Sequence, residues 1–337
     1  MKAIVQDRYG LPDDVLQLQE IDKPVVGDDE VLVRVRATSV HPDVWHVVTG
    51  RPYVLRLMGA GLIKPKNCVP GTDVAGHVEW VGKNVTRFRH GDDVFGESIK
   101  GQQWENGGAF AEYVAVAEDA LVLKPGSISF EQAAAVTTSG LIALNNLQGQ
   151  SRIQPGQSVL INGAGGGVGA IAVQLAKAFG ARVTGVDHTN KLEMIRALGA
   201  DHVMDYTKED FTQLGARYDL IFDVASNLSL AACKRVLAVK GVYVLIGHDH
   251  YGAVGGRVLG SLPRFFKLLA LSPFVSHLPK MNFSVPRRQD TMVVLRDLLE
   301  AGKLTPVIDR AYPLNEAREA MRYLQAGQAR GKIVITP

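Results

Sequence analysis

Short apolar runs, broken by glycine, proline and aspartate, fill the first 125 residues. Residues 3–5, 31–35, 76–81 and 111–116 read as strands. Val31, Val33 and Val35 alternate with Leu32, Arg34 and Arg36, the two-residue period of a half-buried strand. Helix signals are scarce there, so a small antiparallel barrel or sandwich is expected. Residues 129–147 turn helical. From Gln157 onward, runs of strand length (159–161, 182–186, 202–204, 219–224 and 242–246) alternate with stretches that are apolar every three or four residues. One such helix starts near Val168 and puts Ile171, Ala172, Leu175, Ala176 and Phe179 on one face; a second spans 229–239. Residues 219–224 are almost continuously apolar, which suits a sheet buried on both faces. The alternation predicts a parallel, doubly wound sheet with right-handed crossovers. Residues 251–286 are irregular and apolar, with an edge strand expected at 282–285. Helices at 288–301 and 315–325 and strands at 307–312 and 332–335 follow.

Within this pattern, residues 158–169, SVLINGAGGGVG, join the first parallel strand to its helix through five glycines: Gly163, Gly165, Gly166, Gly167 and Gly169. Strand, glycine turn and helix form the context of a dinucleotide-binding motif. Glycines let the backbone approach a diphosphate, and the helix start offers free N–H groups and a positive dipole end. Alanine stands in the first place of the motif, at Ala164, so the match is incomplete. The second parallel strand ends at Asp187, about where a ribose-binding carboxylate is expected.

A length of 337 residues suggests two domains. With 37 Lys and Arg against 34 Asp and Glu and no basic run, nothing suggests a nucleic-acid partner. Cys68 and Cys233 form neither a disulfide framework nor a C-x-x-C site, which fits a reducing cytoplasm. No secretory leader is seen, and no run approaches the ~18 apolar residues of a membrane span. The apolar stretch 251–286 reads as a lid or a subunit contact, with surface membrane association the lesser alternative.

Four stretches together resemble the medium-chain dehydrogenase/reductase superfamily, in its zinc-free quinone oxidoreductase branch: SVHPDVW (39–45), VPGTDVAG (69–76), NGAGGGVG (162–169) and RGKIV (330–334). The resemblance covers essentially the whole chain. It implies an α/β protein with a Rossmann doubly wound parallel sheet over 127–286 and a GroES-like, β-rich barrel catalytic domain from 1–126 and 287–337. It also implies a homodimer joined through the Rossmann domain, with the cofactor in the cleft between domains.

The superfamily's alcohol dehydrogenases build a catalytic zinc site partly from a Cys on the first stretch and a Gly-His-Glu on the second. Here His41 and Gly71-Thr72-Asp73 stand in those places, and residues 96–108 hold no cysteine for a structural zinc. Zinc needs about three protein ligands, and Thr72 is not one. His41, Asp43 and His46 either line the pocket from a loop or, less in keeping with their spacing, bind a metal; His248-Asp249-His250 poses the same choice. Without a Lewis acid, the chemistry left is hydride transfer from a nicotinamide to an acceptor already electrophilic, a quinone or an α,β-unsaturated carbonyl.

By the resemblance, His41, Asp43 and Trp45 lie beside the nicotinamide. His41 either donates a proton or orients the acceptor, or it is a structural histidine. Tyr53 either lines the pocket or is a half-buried loop aromatic. Thr138, Gly166, Gly167, Val168, Tyr206, Ala225 and Gly247 line the cofactor's path, and Arg330 or Lys332 reaches it from the last strand. Asp187 would accept the ribose hydroxyls and repel a 2′-phosphate, favouring NAD(H) over NADP(H). His188 and Lys191 follow closely and could hold that phosphate if Asp187 turned away. Two further readings stay open: an alcohol or aldehyde dehydrogenase, and a low-turnover dinucleotide-binding sensor or structural protein.

Overall fold

The computed structural model describes residues 1–99, 105–150, 153–247, 256–279 and 286–337. The chain opens with an antiparallel ribbon, β1 (Lys2–Val5) and β2 (Gln17–Glu20), around the one-turn helix α1 (Pro12–Val15). Next comes the long strand β3 (Glu30–Val40). Val31, Val33 and Val35 are buried on it while Arg34 and Arg36 face water, as their alternation requires. α2 (Pro42–Thr49) follows, then β4 (Asp73–Val81), β5 (Asp93–Glu97), β6 (Tyr113–Ala117) and β7 (Leu121–Leu123). α3 (Phe130–Leu144) starts at a capping box in which Ser129 and Gln132 satisfy each other's backbone N–H.

The second half alternates β8 (Ser158–Asn162), α4 (Gly167–Ala178), β9 (Arg182–Asp187), α5 (Leu192–Ala197), β10 (His202–Asp205), β11 (Tyr218–Asp223), α6 (Leu230–Lys234) and β12 (Leu237–Leu245). These strands form one parallel sheet in the order β10-β9-β8-β11-β12. α7 (Leu262–Leu271) and α8 (Arg288–Glu300) lead to β13 (Ile308–Pro313), α9 (Ala317–Gln325) and β14 (Lys332–Thr336). β14 runs parallel to β13 and antiparallel to β3, so the last strands return to the first sheet, whose order is β13-β14-β3-β4-β5-β7 with β6 also on β3. This is the Rossmann sheet and GroES-like barrel that the sequence led us to expect. The two share a core: Ala37, Ala75 and Phe95 of the barrel pack in one cluster with Ala133, Val136, Ile161, Ile171 and Leu295.

Three local expectations need correction. Residues 42–49 are helix rather than loop. A ten-residue helix, α7, lies within the stretch expected to be irregular. β12 begins at Leu237, where the helical pattern was expected to run to residue 239. The edge strand expected at 282–285 and the histidines at 248 and 250 lie outside the described residues.

Candidate active site

A cleft of about 480 Å³ opens at the carboxyl ends of the neighbouring strands β8 and β11, from which the chain leaves in opposite directions. In a doubly wound sheet this is the topological switch point, where ligands bind. Asn162, Gly163, Val224 and Ala225 line its sheet side, and α2, α3 and the start of β14 close the other side.

The glycine turn explains its own composition. Gly163 sits at φ +86°, where a side chain is strained, and its carbonyl faces Gly169 so closely that a Cβ there would stand 2.1 Å from the oxygen. Gly166 caps α4, and a Cβ on it would meet nothing nearer than 3.7 Å. That leaves a bare concavity at the helix start. Gly167 is overlaid by the stem of Lys332, whose Cδ would be 2.7 Å from a Cβ at that site. The Lys332 ammonium is buried and makes no hydrogen bond; its nearest counter-charge is Asp73 Oδ2 at 3.6 Å. Burial pushes its pKa below the usual lysine range, against the pull of Asp73. An unsatisfied cation above a bare helix N-terminus fits the diphosphate of a dinucleotide.

At the far end of the cleft, Asp187 Oδ2 accepts from the Gly165 N–H (2.7 Å) and Oδ1 from the His188 N–H (2.8 Å). Lys191 Nζ stands 3.8 Å from Oδ1 and donates to the Gly327 carbonyl at 3.4 Å. Asp187 and Lys191 are both nearly buried and both line the cleft.

At the opposite end, His41 Nε2 and Thr72 Oγ1 share a 2.7 Å hydrogen bond, and His41 Nδ1 lies 3.9 Å from Asp43 Oδ2. Burial lowers the His41 pKa, which keeps the ring neutral near pH 7, although Asp73 and Asp43 oppose this. His46 also lines the cleft, and its Nδ1 shares a hydrogen bond with the Arg51 carbonyl at 2.7 Å. Among the described residues, no group of three or more His, Cys, Asp and Glu could hold a metal ion.

Behind His41 lies a buried polar network. Asp73 Oδ1 accepts from the backbone N–H (3.0 Å) and hydroxyl (2.5 Å) of Thr138, and its Oδ2 from Ser39. The same Thr138 hydroxyl is 2.7 Å from Glu97 Oε1. One hydroxyl proton cannot serve two carboxylates, so a protonated Glu97 completes the set. Burial accordingly raises the Glu97 pKa from 4.5 to about 6, with Arg288, 3.2 Å away, opposing the shift. Below pH 4.5 the group is protonated whether the chain is folded or not, and it costs nothing. Between pH 4.5 and about 6 the unfolded chain ionises more readily than the fold, so stability falls across that window and the loss is complete above it. Glu97→Gln is therefore expected to be more stable than wild type at pH 8, by up to about 2 kcal/mol, and to lose that advantage by pH 4. Thermal melts at the two pH values check this.

Of the residues expected at the site, His41, Asp43, Thr138, Gly166, Gly167, Val168, Asp187, Lys191, Tyr206, Ala225 and Gly247 all line the cleft. Four do not. Trp45 is buried in the barrel core, with Nε1 3.3 Å from Gln325 Oε1. Tyr53 stacks against Arg56 on the surface. His188 is exposed, shares a hydrogen bond with Asn190 and meets Tyr206 edge-on. Arg330 turns outward to Asp309, while Lys332, two residues on, points in. Sequence reasoning missed Ser139, Asn162 and Asn227. Asn162 could have been found as the residue closing β8: its amide donates to Asp223 (2.8 Å) and Asn227 (2.9 Å) and ties the ends of the two neighbouring strands together.

Residues 27–126 match the family model of the alcohol dehydrogenase GroES-like domain, and residues 198–335 that of a zinc-binding dehydrogenase. The chain is 33% identical to 2-methylene-furan-3-one reductase of Solanum lycopersicum, over 100% of this chain and 79% of that protein. It is 34% identical to the chloroplastic NADPH-dependent alkenal/one oxidoreductase of Arabidopsis thaliana, over 100% and 80%. Among solved structures, Coxiella burnetii quinone oxidoreductase superposes with a TM-score of 0.80 at 28% identity, covering 100% of this chain and 99% of that one. Escherichia coli quinone oxidoreductase, complexed with NADPH, gives 0.80 at 25% identity with both chains fully covered. The sheet order, the glycine turn at the switch point and these likenesses agree: the chain belongs to the medium-chain dehydrogenase/reductase superfamily, in its quinone-oxidoreductase-like branch.

Proposed function

We propose that this protein is an NAD(P)H-dependent oxidoreductase that passes hydride to a quinone or an α,β-unsaturated carbonyl. The observation that carries the reading is the buried, unbonded Lys332 ammonium above the bare start of α4, in one cleft with the neutral His41. Relatives named for alkenal/one, furanone and quinone reduction support the acceptor class.

The nicotinamide, when bound, supplies the hydride. Gly166, Gly167 and Lys332 hold the diphosphate, and Asp187 takes the adenosine ribose. His41, kept neutral by burial and fixed by Thr72, has a ring N–H suited to orient an acceptor oxygen rather than to act as an acid. Solvent then supplies the proton. Thr72 in a zinc ligand's place argues for an acceptor that needs no Lewis acid. The Asp187 carboxylate would face a 2′-phosphate, with Lys191 only partly offsetting it. NADH is therefore read as the preferred cofactor, against the NADPH of the named relatives. The same reading takes the protein as a homodimer joined through the Rossmann domain and as cytoplasmic. No helix among the described residues is long and apolar enough to cross a membrane.

The test is oxidation of NADH and NADPH against soluble quinones and enones with chelator present. Turnover that survives chelation, with kcat/KM for NADH at least about tenfold above that for NADPH, is expected. Asp187→Ser should shrink that ratio. Dinucleotide binding without turnover of any acceptor would favour the sensor reading. Alcohol oxidation abolished by chelator would favour a metal dehydrogenase.

A further inference from the structure

Two stretches build one surface: residues 50–68, which follow α2, and residues 256–279, which contain α7. Backbone hydrogen bonds join them, from the Tyr53 N–H to the Arg257 carbonyl (2.9 Å) and from the Val54 N–H to the Val258 carbonyl (3.1 Å). Each stretch is tied by the chain or by hydrogen bonds to an element that lines the cleft. The first continues from the helix that bears His41 and Asp43 at its start. In the second, Arg264 donates to the carbonyls of Ser226 and Leu228 at 2.5 Å each, bracketing Asn227 of the cleft wall.

The surface is apolar in an unusual way. Leu57, Leu62 and Ile63 are exposed on the first stretch, and Phe265, Phe266 and Phe274 on the second; Ile63 reaches 88% and Phe274 86%. α7, LPRFFKLLAL, has no fully buried residue; Leu268 and Leu271 rest partly on the core below. Such a helix presents more apolar surface outward than a water-facing one normally does.

Its charge is one-sided. The two stretches hold seven of the chain's 37 Lys and Arg and none of its 34 Asp and Glu, so the remainder of the chain has more acid than base. Lys64, Arg257 and Lys267 are exposed, with no acidic partner among the described residues. A second copy laid on this same surface would be a poor occupant, because a two-fold contact would set two cationic patches, neither containing an acid, against each other. A bilayer offers both halves of the complement: acyl chains for the phenylalanines and leucines, and phosphate groups for the cations.

We propose that this surface docks the protein on bilayers rich in anionic phospholipid, and that lipid-dissolved acceptors enter the cleft from there. The second half of the proposal rests on the acceptor class proposed above; the docking does not.

Vesicle flotation tests it, with phosphatidylcholine alone and with about 30% phosphatidylglycerol added. Binding to the anionic vesicles about tenfold tighter than to the neutral ones, and weakened by salt, is expected. Phe265→Ser with Phe274→Ser, and separately Lys64→Glu with Lys267→Glu, should each reduce that binding at least about tenfold. Turnover of a water-soluble quinone should be unchanged in both variants, while turnover of a long-tailed quinone held in the vesicles should fall. Absence of binding to anionic vesicles, or binding that the variants leave intact, would overturn the proposal. So would variants that lower the oligomeric mass in place of vesicle binding, since the occupant would then be a second copy. Loss of soluble-quinone turnover in the wild type would count against the proposed function alone, because flotation needs no catalysis.

Discussion

Lys332→Met is expected to weaken dinucleotide binding about ten- to a hundredfold, the worth of one charge-assisted hydrogen bond in a dry site. The ammonium is already buried, makes no hydrogen bond and has only Asp73 Oδ2, at 3.6 Å, as a counter-charge, so a diphosphate brought to it gains a charge-assisted bond. Removing it also leaves Asp73 without its nearby cation. The melting temperature should therefore fall too, and the combined Asp73→Asn, Lys332→Met variant should recover part of it but none of the affinity. Calorimetric titration with NADH reads the first effect and thermal melts the second. Unchanged affinity would remove Lys332 from the cofactor site.

The second large effect concerns two glycines three residues apart. At Gly169 an alanine Cβ would stand 2.1 Å from the Gly163 carbonyl oxygen and 2.8 Å from Ala164 Cα, both backbone atoms that cannot give way. Gly169→Ala is expected to cost roughly 3 kcal/mol or more, as α4 is forced off the end of β8, and to abolish cofactor binding. Gly166 has an ordinary φ of −84° and open space where its Cβ would be. Gly166→Ala should therefore melt close to wild type and still lose affinity, because its methyl fills the concavity meant for the ligand. Equal damage from both substitutions would mean that the turn is structural and cradles nothing.

The parallel sheet was legible because short, nearly continuous apolar runs alternate with stretches that are apolar every three or four residues. The glycine turn and Asp187 could be placed by counting from β8. α2 was not legible: every residue from Asp43 to Thr49 is buried, so the helix has no polar face and no stripe. β2, QLQE, is exposed throughout and carries no alternation either. The choice between Arg330 and Lys332 depended on which way the entry to β14 turns. Only the fold reveals that Arg330 meets Asp309 there. The Asp73, Thr138, Glu97 and Lys332 network joins residues from four distant parts of the chain, and no local pattern announces it.

The β3–β14 pairing also dictates an order of events during synthesis. Val40 faces Ile333, so this pairing spans almost the whole sequence, whereas the described strands of the parallel sheet end at Leu245. On the ribosome, the Rossmann half can therefore form while β3 still has a bare edge. The Gly331 N–H bonds the Gly165 carbonyl at 2.9 Å, so the wall that completes the cleft arrives with the last of the described strands. A nascent chain thus passes through a long interval in which its dinucleotide half is folded and its catalytic half is not.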